Sequence, residues 1–74
     1  MGLNIRDKDT YKYRLKWGGK TVHYGITYDL ALREAQHQND YPGSRIEQVG
    51  RRTTREEALK WQRRMYKRIQ NSGR

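Results

Sequence analysis

Residues 11–19 read YKYRLKWGG, and no other stretch limits the possible folds of this chain so strongly. Tyr11, Tyr13, Leu15 and Trp17 alternate strictly with Lys12, Arg14 and Lys16, a period of two that puts the aromatic and apolar groups on one face and the cations on the other. The segment is therefore a strand. Gly18-Gly19 follows, a pair that enters positive φ without a Cβ clash and suits a tight hairpin turn, and Lys20 to Ile26 resumes extended character. The chain is committed to a β-hairpin within its first third.

Helical and turn signals place the remaining elements. Thr27 or Asp29 can cap a helix over Leu30 to Gln38, because a short side-chain oxygen accepts from the amides of a first turn. Asn39-Asp40-Tyr41-Pro42-Gly43-Ser44 ends that helix, and RIEQVG over Arg45 to Gly50 reads as a third strand. Thr53 and Thr54 each have a glutamate three residues on, the spacing of a capping box, so a second helix starts there. Its apolar positions Ala58, Leu59, Trp61, Met65, Tyr66 and Ile69 recur at helical spacing, with Lys60, Arg63, Arg64, Lys67 and Arg68 covering the rest. The predicted fold is α+β in the order β-β-α-β-α, a three-stranded, mainly antiparallel sheet flanked by helices. Residues 1–9 are expected to form a loose arm, in which Leu3 and Ile5 could add a short edge strand. Residues 10–70 form the domain, and 71–74 a disordered tail.

Size and charge narrow the function. At 74 residues there is room for one domain with a small core. The absence of cysteine excludes a disulfide framework or thiolate zinc site and suits a reducing, cytoplasmic compartment. No apolar run approaches a membrane span. Seventeen Lys and Arg against eight Asp and Glu give a net charge of +9, which favours polyanions, with nucleic acid foremost. The excess is concentrated from Arg51 onward, where nine basic residues face two acidic ones. Arg51, Arg52, Arg55, Arg63, Arg64 and Lys67 are the candidate contacts to backbone phosphate, and the same run is equally readable as a solvated face. The two histidines have no third ligand at metal spacing, and no serine or cysteine nucleophile or phosphate-binding loop is recognisable.

Over residues 11 to about 70 the chain resembles the GIY-YIG nuclease superfamily. Tyr11-Lys12-Tyr13 stands where the first tripeptide motif belongs and His23-Tyr24-Gly25 where the second does. Gly25-Ile26-Thr27, Asp29-Leu30 and Arg33 then follow in the family's order, with His37 one turn beyond. Glu57-Ala58-Leu59-Lys60-Trp61-Gln62 resembles the segment that ends in the family's metal-binding glutamate. The resemblance implies a metal-dependent DNA endonuclease using one Mg²⁺ or Mn²⁺ ion; RNA stays open as a partner beside DNA, and the oligomeric state is open with a monomer as default. Two positions depart from the pattern: His23 replaces a tyrosine and Gln62 replaces the glutamate. The alternative is a non-catalytic nucleic-acid-binding module that keeps the fold.

The chemistry of the candidate residues agrees with that reading. Phosphodiester hydrolysis needs an activated water and stabilisation of the charge added at phosphorus. Arg33 offers a permanently charged fork for phosphate oxygens, and His37 at i+4 shares its helical face. The resemblance assigns Tyr13 to handling the water, whereas its strand pattern alone makes it a buried core aromatic. His23 can replace a phenol as base or phosphate ligand, or it can be a partly exposed strand histidine beside Val22 and Tyr24. Gln62 offers an oxygen without the charge that favours a hard cation. Glu57 lies about 140° away around the helix, too far to compensate without distortion.

Overall fold

The structure, a computed structural model, describes residues 8–72. Five elements follow in the expected order: β1 Tyr11–Trp17, β2 Lys20–Thr27, α1 Leu30–Asp40, β3 Arg45–Gln48 and α2 Arg55–Ser72. The sheet order is β2-β1-β3, so the alternating strand that opens the pattern is the central one, antiparallel to both neighbours. Gly18 and Gly19 turn the hairpin with φ of 60° and 79°, the left-handed pair that matches the twist of the flanking strands. Leu3 and Ile5 lie outside the described residues, as do Gly73 and Arg74. Helix α2 runs through Asn71 to Ser72, into the segment expected to be a tail.

Register decides which side chains meet. Leu15 faces His23, but Lys16 faces Thr21, so Val22 is the extra residue of a bulge and is 36% exposed. Tyr13 pairs with Gly25 and Gln48, and Leu15 with His23 and Ile46. One face of the sheet therefore carries Tyr13, Leu15, His23 and Gly25, and α1 lies over it. The opposite face carries Lys12 and Tyr24 against Trp61 of α2, with the Tyr24 and Trp61 rings edge to face at 5.7 Å and the Lys12 ammonium 5.9 Å from the Trp61 ring centre. Among the described residues Tyr13, Leu15, Ala58 and Trp61 are the buried hydrophobic side chains, and losing a large one would cost several kcal/mol, about 3–5 for Trp61→Ala.

The two helices are attached by different forces. Helix α1 has no fully buried residue, and Leu32 is among its exposed side chains. Polar bonds hold it instead: Ile46 N–H donates to Glu34 Oε2 at 2.8 Å, the Gln38 amide donates to Ser44 O at 2.9 Å, and Tyr13 bonds to His37. Asp29 is its cap, accepting from Leu32 N–H at 3.1 Å, while Thr27 Oγ1 bonds both the N–H and the C=O of Asp29 and fixes the turn into the helix. Helix α2 begins where Thr54 Oγ1 accepts from Glu57 N–H at 3.2 Å. Thr53 instead pairs its backbone with Thr10 at 2.8 and 2.9 Å, which ties the start of α2 to the start of β1.

Trp17 departs from the face expected for it. At the hairpin end it lies beyond the core, 42% exposed, edge-on to Tyr41 at 5.0 Å, with its indole N–H donating to Pro42 O at 2.8 Å. It staples the hairpin to the loop after α1. On the far side of the sheet an Arg14–Glu47 ion pair joins β1 to β3, largely in solvent and so of little energetic weight.

Candidate active site

Tyr13 is the centre of the site because of what lies beneath it. Its cross-strand partner Gly25 has no side chain, and the Tyr13 ring occupies that space: a Cβ at Gly25 would stand 2.6 Å from Tyr13 Cζ. Held there and 1% exposed, Tyr13 brings its hydroxyl 2.7 Å from His37 Nε2. His23 completes a triangle of rings, its centroid 6.0 Å from Tyr13 and 5.0 Å from His37. The bulge at Val22 creates this convergence, since it turns His23 onto the Tyr13 face, away from Val22 and Tyr24.

Hydrogen-bond bookkeeping assigns the protons. Tyr66 of α2 donates its single hydroxyl proton to Tyr24 O at 2.7 Å, an edge carbonyl of β2 that β1 does not use. The Tyr66 hydroxyl oxygen lies 2.9 Å from His23 Nδ1, so it accepts there and His23 carries its proton on Nδ1. Its Nε2 is then the basic nitrogen. In the other pair Tyr13 Oη and His37 Nε2 share one proton at 2.7 Å.

Burial sets the charge state of the cluster. It raises the Tyr13 pKa, against an opposing pull from the Arg33 charge. It lowers His23, with the charges of His37 and Arg33 adding to the effect, and lowers His37, with Arg33 adding and Asp40 opposing. Burial likewise raises Tyr66, against its bonds to Tyr24 and Gln62. At neutral pH both phenols are protonated and both imidazoles neutral. Arg33, half-buried on α1 one turn before His37, is the fixed positive charge that Tyr13, His23 and His37 all sense.

Arg33 and Gln62 line one cleft of about 480 Å³, together with Thr27, Tyr28, Asp29 and Arg55. Gln62 also lines a second cleft of about 700 Å³ with Arg63, Tyr66 and Lys67. Its amide nitrogen reaches toward Tyr24 O at 3.4 Å, so a cation would meet only the neutral Oε1. Asp29, the carboxylate of the cleft, is engaged in capping α1. Among the described residues no three His, Cys, Asp or Glu side chains are grouped to hold a metal. With Arg33 lining the same cleft, this donor set does not fit a resident magnesium or manganese ion.

The structure thus brings together the rings of Tyr13, His23 and His37, with Arg33 near enough for its charge to lower both imidazoles, and Gln62 shares with Arg33 a cleft that none of the three rings lines. The basic candidates separate. Arg55 lines the Arg33 cleft and bonds the Tyr28 hydroxyl at 3.0 Å, and Arg63 and Lys67 line the second cleft. Arg51 and Arg52 line a concavity of about 380 Å³ with Lys8, Tyr11 and Gln48. Arg64 is exposed and about 100° around α2 from Arg63. Tyr66 and Leu59 were expected in the core stripe and instead line the clefts, because the core contact of α2 is the narrower Ala58–Trp61 edge. Tyr66 stands four residues after Gln62, and that spacing was the available signal for a shared face.

The chain matches no family model, no curated protein and no solved structure. The GIY-YIG resemblance rests on the residues themselves.

Proposed function

We propose that this chain is a GIY-YIG-like endonuclease domain that grips a DNA phosphodiester at the Arg33 cleft and hydrolyses it, with turnover limited by Gln62. The observation that carries the reading is the Tyr13–His37 hydrogen bond of 2.7 Å beside His23 and the Arg33 charge. A water at the half-buried His23 attacks phosphorus and passes its proton to the neutral Nε2 of that imidazole, while the buried Tyr13–His37 hydrogen bond fixes the rings behind it. Arg33 stabilises the charge that builds on the phosphoryl oxygens as the bond to the departing alkoxide breaks, a role worth about 10²–10³ in rate.

The weak point is the departing alkoxide, whose charge a glutamine at position 62 does nothing to neutralise. That amide favours a second reading, a module that binds nucleic acid without cutting it. Gln62→Glu separates the two. Under the nuclease reading the variant nicks DNA in the presence of Mg²⁺ more strongly than the parent, and adding Arg33→Ala abolishes nicking while largely preserving binding. No cleavage of DNA or RNA by the glutamate variant leaves the binding module. The net charge of +9 supports nucleic acid as partner, RNA included, and the cysteine-free sequence suits a reducing, cytoplasmic compartment. Among the described residues no helix is long and apolar enough to cross a membrane.

A further inference from the structure

Arg55, Leu59, Gln62, Arg63, Tyr66 and Lys67 follow one another at spacings of four, three, one, three and one, which places them on a single stripe of α2. The two clefts along that stripe are lined by these residues and share Leu59 and Gln62, so they adjoin. Together they run from Arg55 to Lys67, about 18 Å along the helix axis. At the Arg55 end stands Tyr28, 56% exposed in spite of its aromatic ring. Its hydroxyl accepts from Arg55, whose guanidinium carbon lies 5.8 Å from the ring centre, so the ring is held upright beside a cation. Leu32, also 56% exposed, lines the same cleft.

We propose that this stripe is a track for one unpaired nucleic-acid strand, with Arg55, Arg63 and Lys67 on phosphates spaced along it and Tyr28 stacking a base at the end nearest Arg33. The inference rests on the nuclease-type reading of the site and adds its substrate class. A cationic groove interrupted by an exposed aromatic is the arrangement that binds single strands, because stacking requires a base face that a duplex keeps covered. A row of cations without the ring would bind duplex equally well. The cleft walls also include Leu59 and Leu32, apolar surface that suits unstacked bases better than a phosphate backbone.

The test is fluorescence anisotropy with a labelled single-stranded oligonucleotide and its duplex, over a series of salt concentrations and without added metal. The parent should bind the single strand more tightly than the duplex. Arg63→Gln with Lys67→Gln should weaken single-strand binding at least tenfold at low salt and reduce the salt slope by about 1.4, two released contacts at about 0.7 each. The charge-matched control, Lys20→Gln with Arg68→Gln, should cost less than threefold. Tyr28→Ala should weaken the single strand about tenfold and leave the duplex unchanged, whereas Tyr28→Phe, which keeps the ring, should stay within threefold of the parent. Equal losses from the two double variants, or a duplex preference in the parent, would overturn the track while leaving a nucleic-acid-binding site. An unaffected Tyr28→Ala overturns the stacking platform. No binding of either form at low salt overturns both the track and the reading beneath it.

Discussion

Replacing Gly25 by alanine places a methyl group where the Tyr13 ring now sits, 2.6 Å from Cζ and 2.9 Å from Cε2. Ordinary carbon contact begins near 3.4 Å, so the ring or the strand must give by about 0.8 Å. Neither gives easily. Tyr13 is 1% exposed on the central strand, and its hydroxyl is fixed to His37. An overpacked core site of this kind costs about 1–3 kcal/mol, which for a 74-residue chain is roughly 10 °C of melting temperature at the middle of that range. Thermal and urea unfolding of Gly25→Ala measure the cost directly. The decisive comparison repeats the substitution in a Tyr13→Val background. There the space is open, and alanine, which is easier than glycine to order in a strand, should be neutral or stabilising by up to about 1 kcal/mol. A loss of similar size in both backgrounds, or a gain in the parent, would refute the account of Gly25 as the seat of the Tyr13 ring. The same displacement pulls the phenol from His37, so any hydrolysis measured in the Gln62→Glu protein should fall with it.

Three further outcomes follow from the geometry. Glu34→Ala removes the acceptor that ties α1 to Ile46 and should cost about 1–2 kcal/mol in urea unfolding, with weaker amide-exchange protection at Ile46. Ser44 Oγ is fully buried and has no hydrogen-bond partner among the described residues, so Ser44→Ala should be neutral or stabilising by up to about 1 kcal/mol, measured by the same unfolding midpoint. His23 and His37 both titrate below the ordinary histidine value of 6.5 in the folded chain, so the unfolded chain takes up protons first as pH falls. Their contribution to stability is complete above pH 6.5 and is lost as pH drops through the lowered folded values. Urea midpoints at pH 7.5 and 5.0 for the parent and for His23→Gln with His37→Gln should show a smaller pH-dependent loss in the variant.

Most of the fold was legible because each element is encoded within itself. Alternation from Tyr11 to Trp17, positive-φ glycines at 18 and 19, the Asp29 cap and the Thr54–Glu57 spacing are local instructions, and they sufficed for the element order. The pairing of Arg33 with His37 was equally local, being one helical turn. Boundaries shifted by a residue or two where side chains could extend an element: α1 continues to Asp40, and β3 ends at Gln48 although Val49 N–H still donates to Lys12 O at 2.8 Å.

What the sequence by itself determined, then, was the inventory: five elements in order, a cationic balance, and a set of phenol, imidazole and guanidinium groups on the hairpin and first helix. The tertiary structure decided which of them meet. A one-residue bulge turned His23 toward Tyr13, a choice of register that leaves no mark in the local period. Packing Ala58 and Trp61 against the sheet rotated Leu59 and Tyr66 out of the core and into the clefts, and sorted the cations of α2 into those that line a groove and those that do not. Periodicity specifies a face; only contact between elements specifies what that face looks upon, because the orientation is fixed by the summed packing and hydrogen bonding of residues distant in sequence.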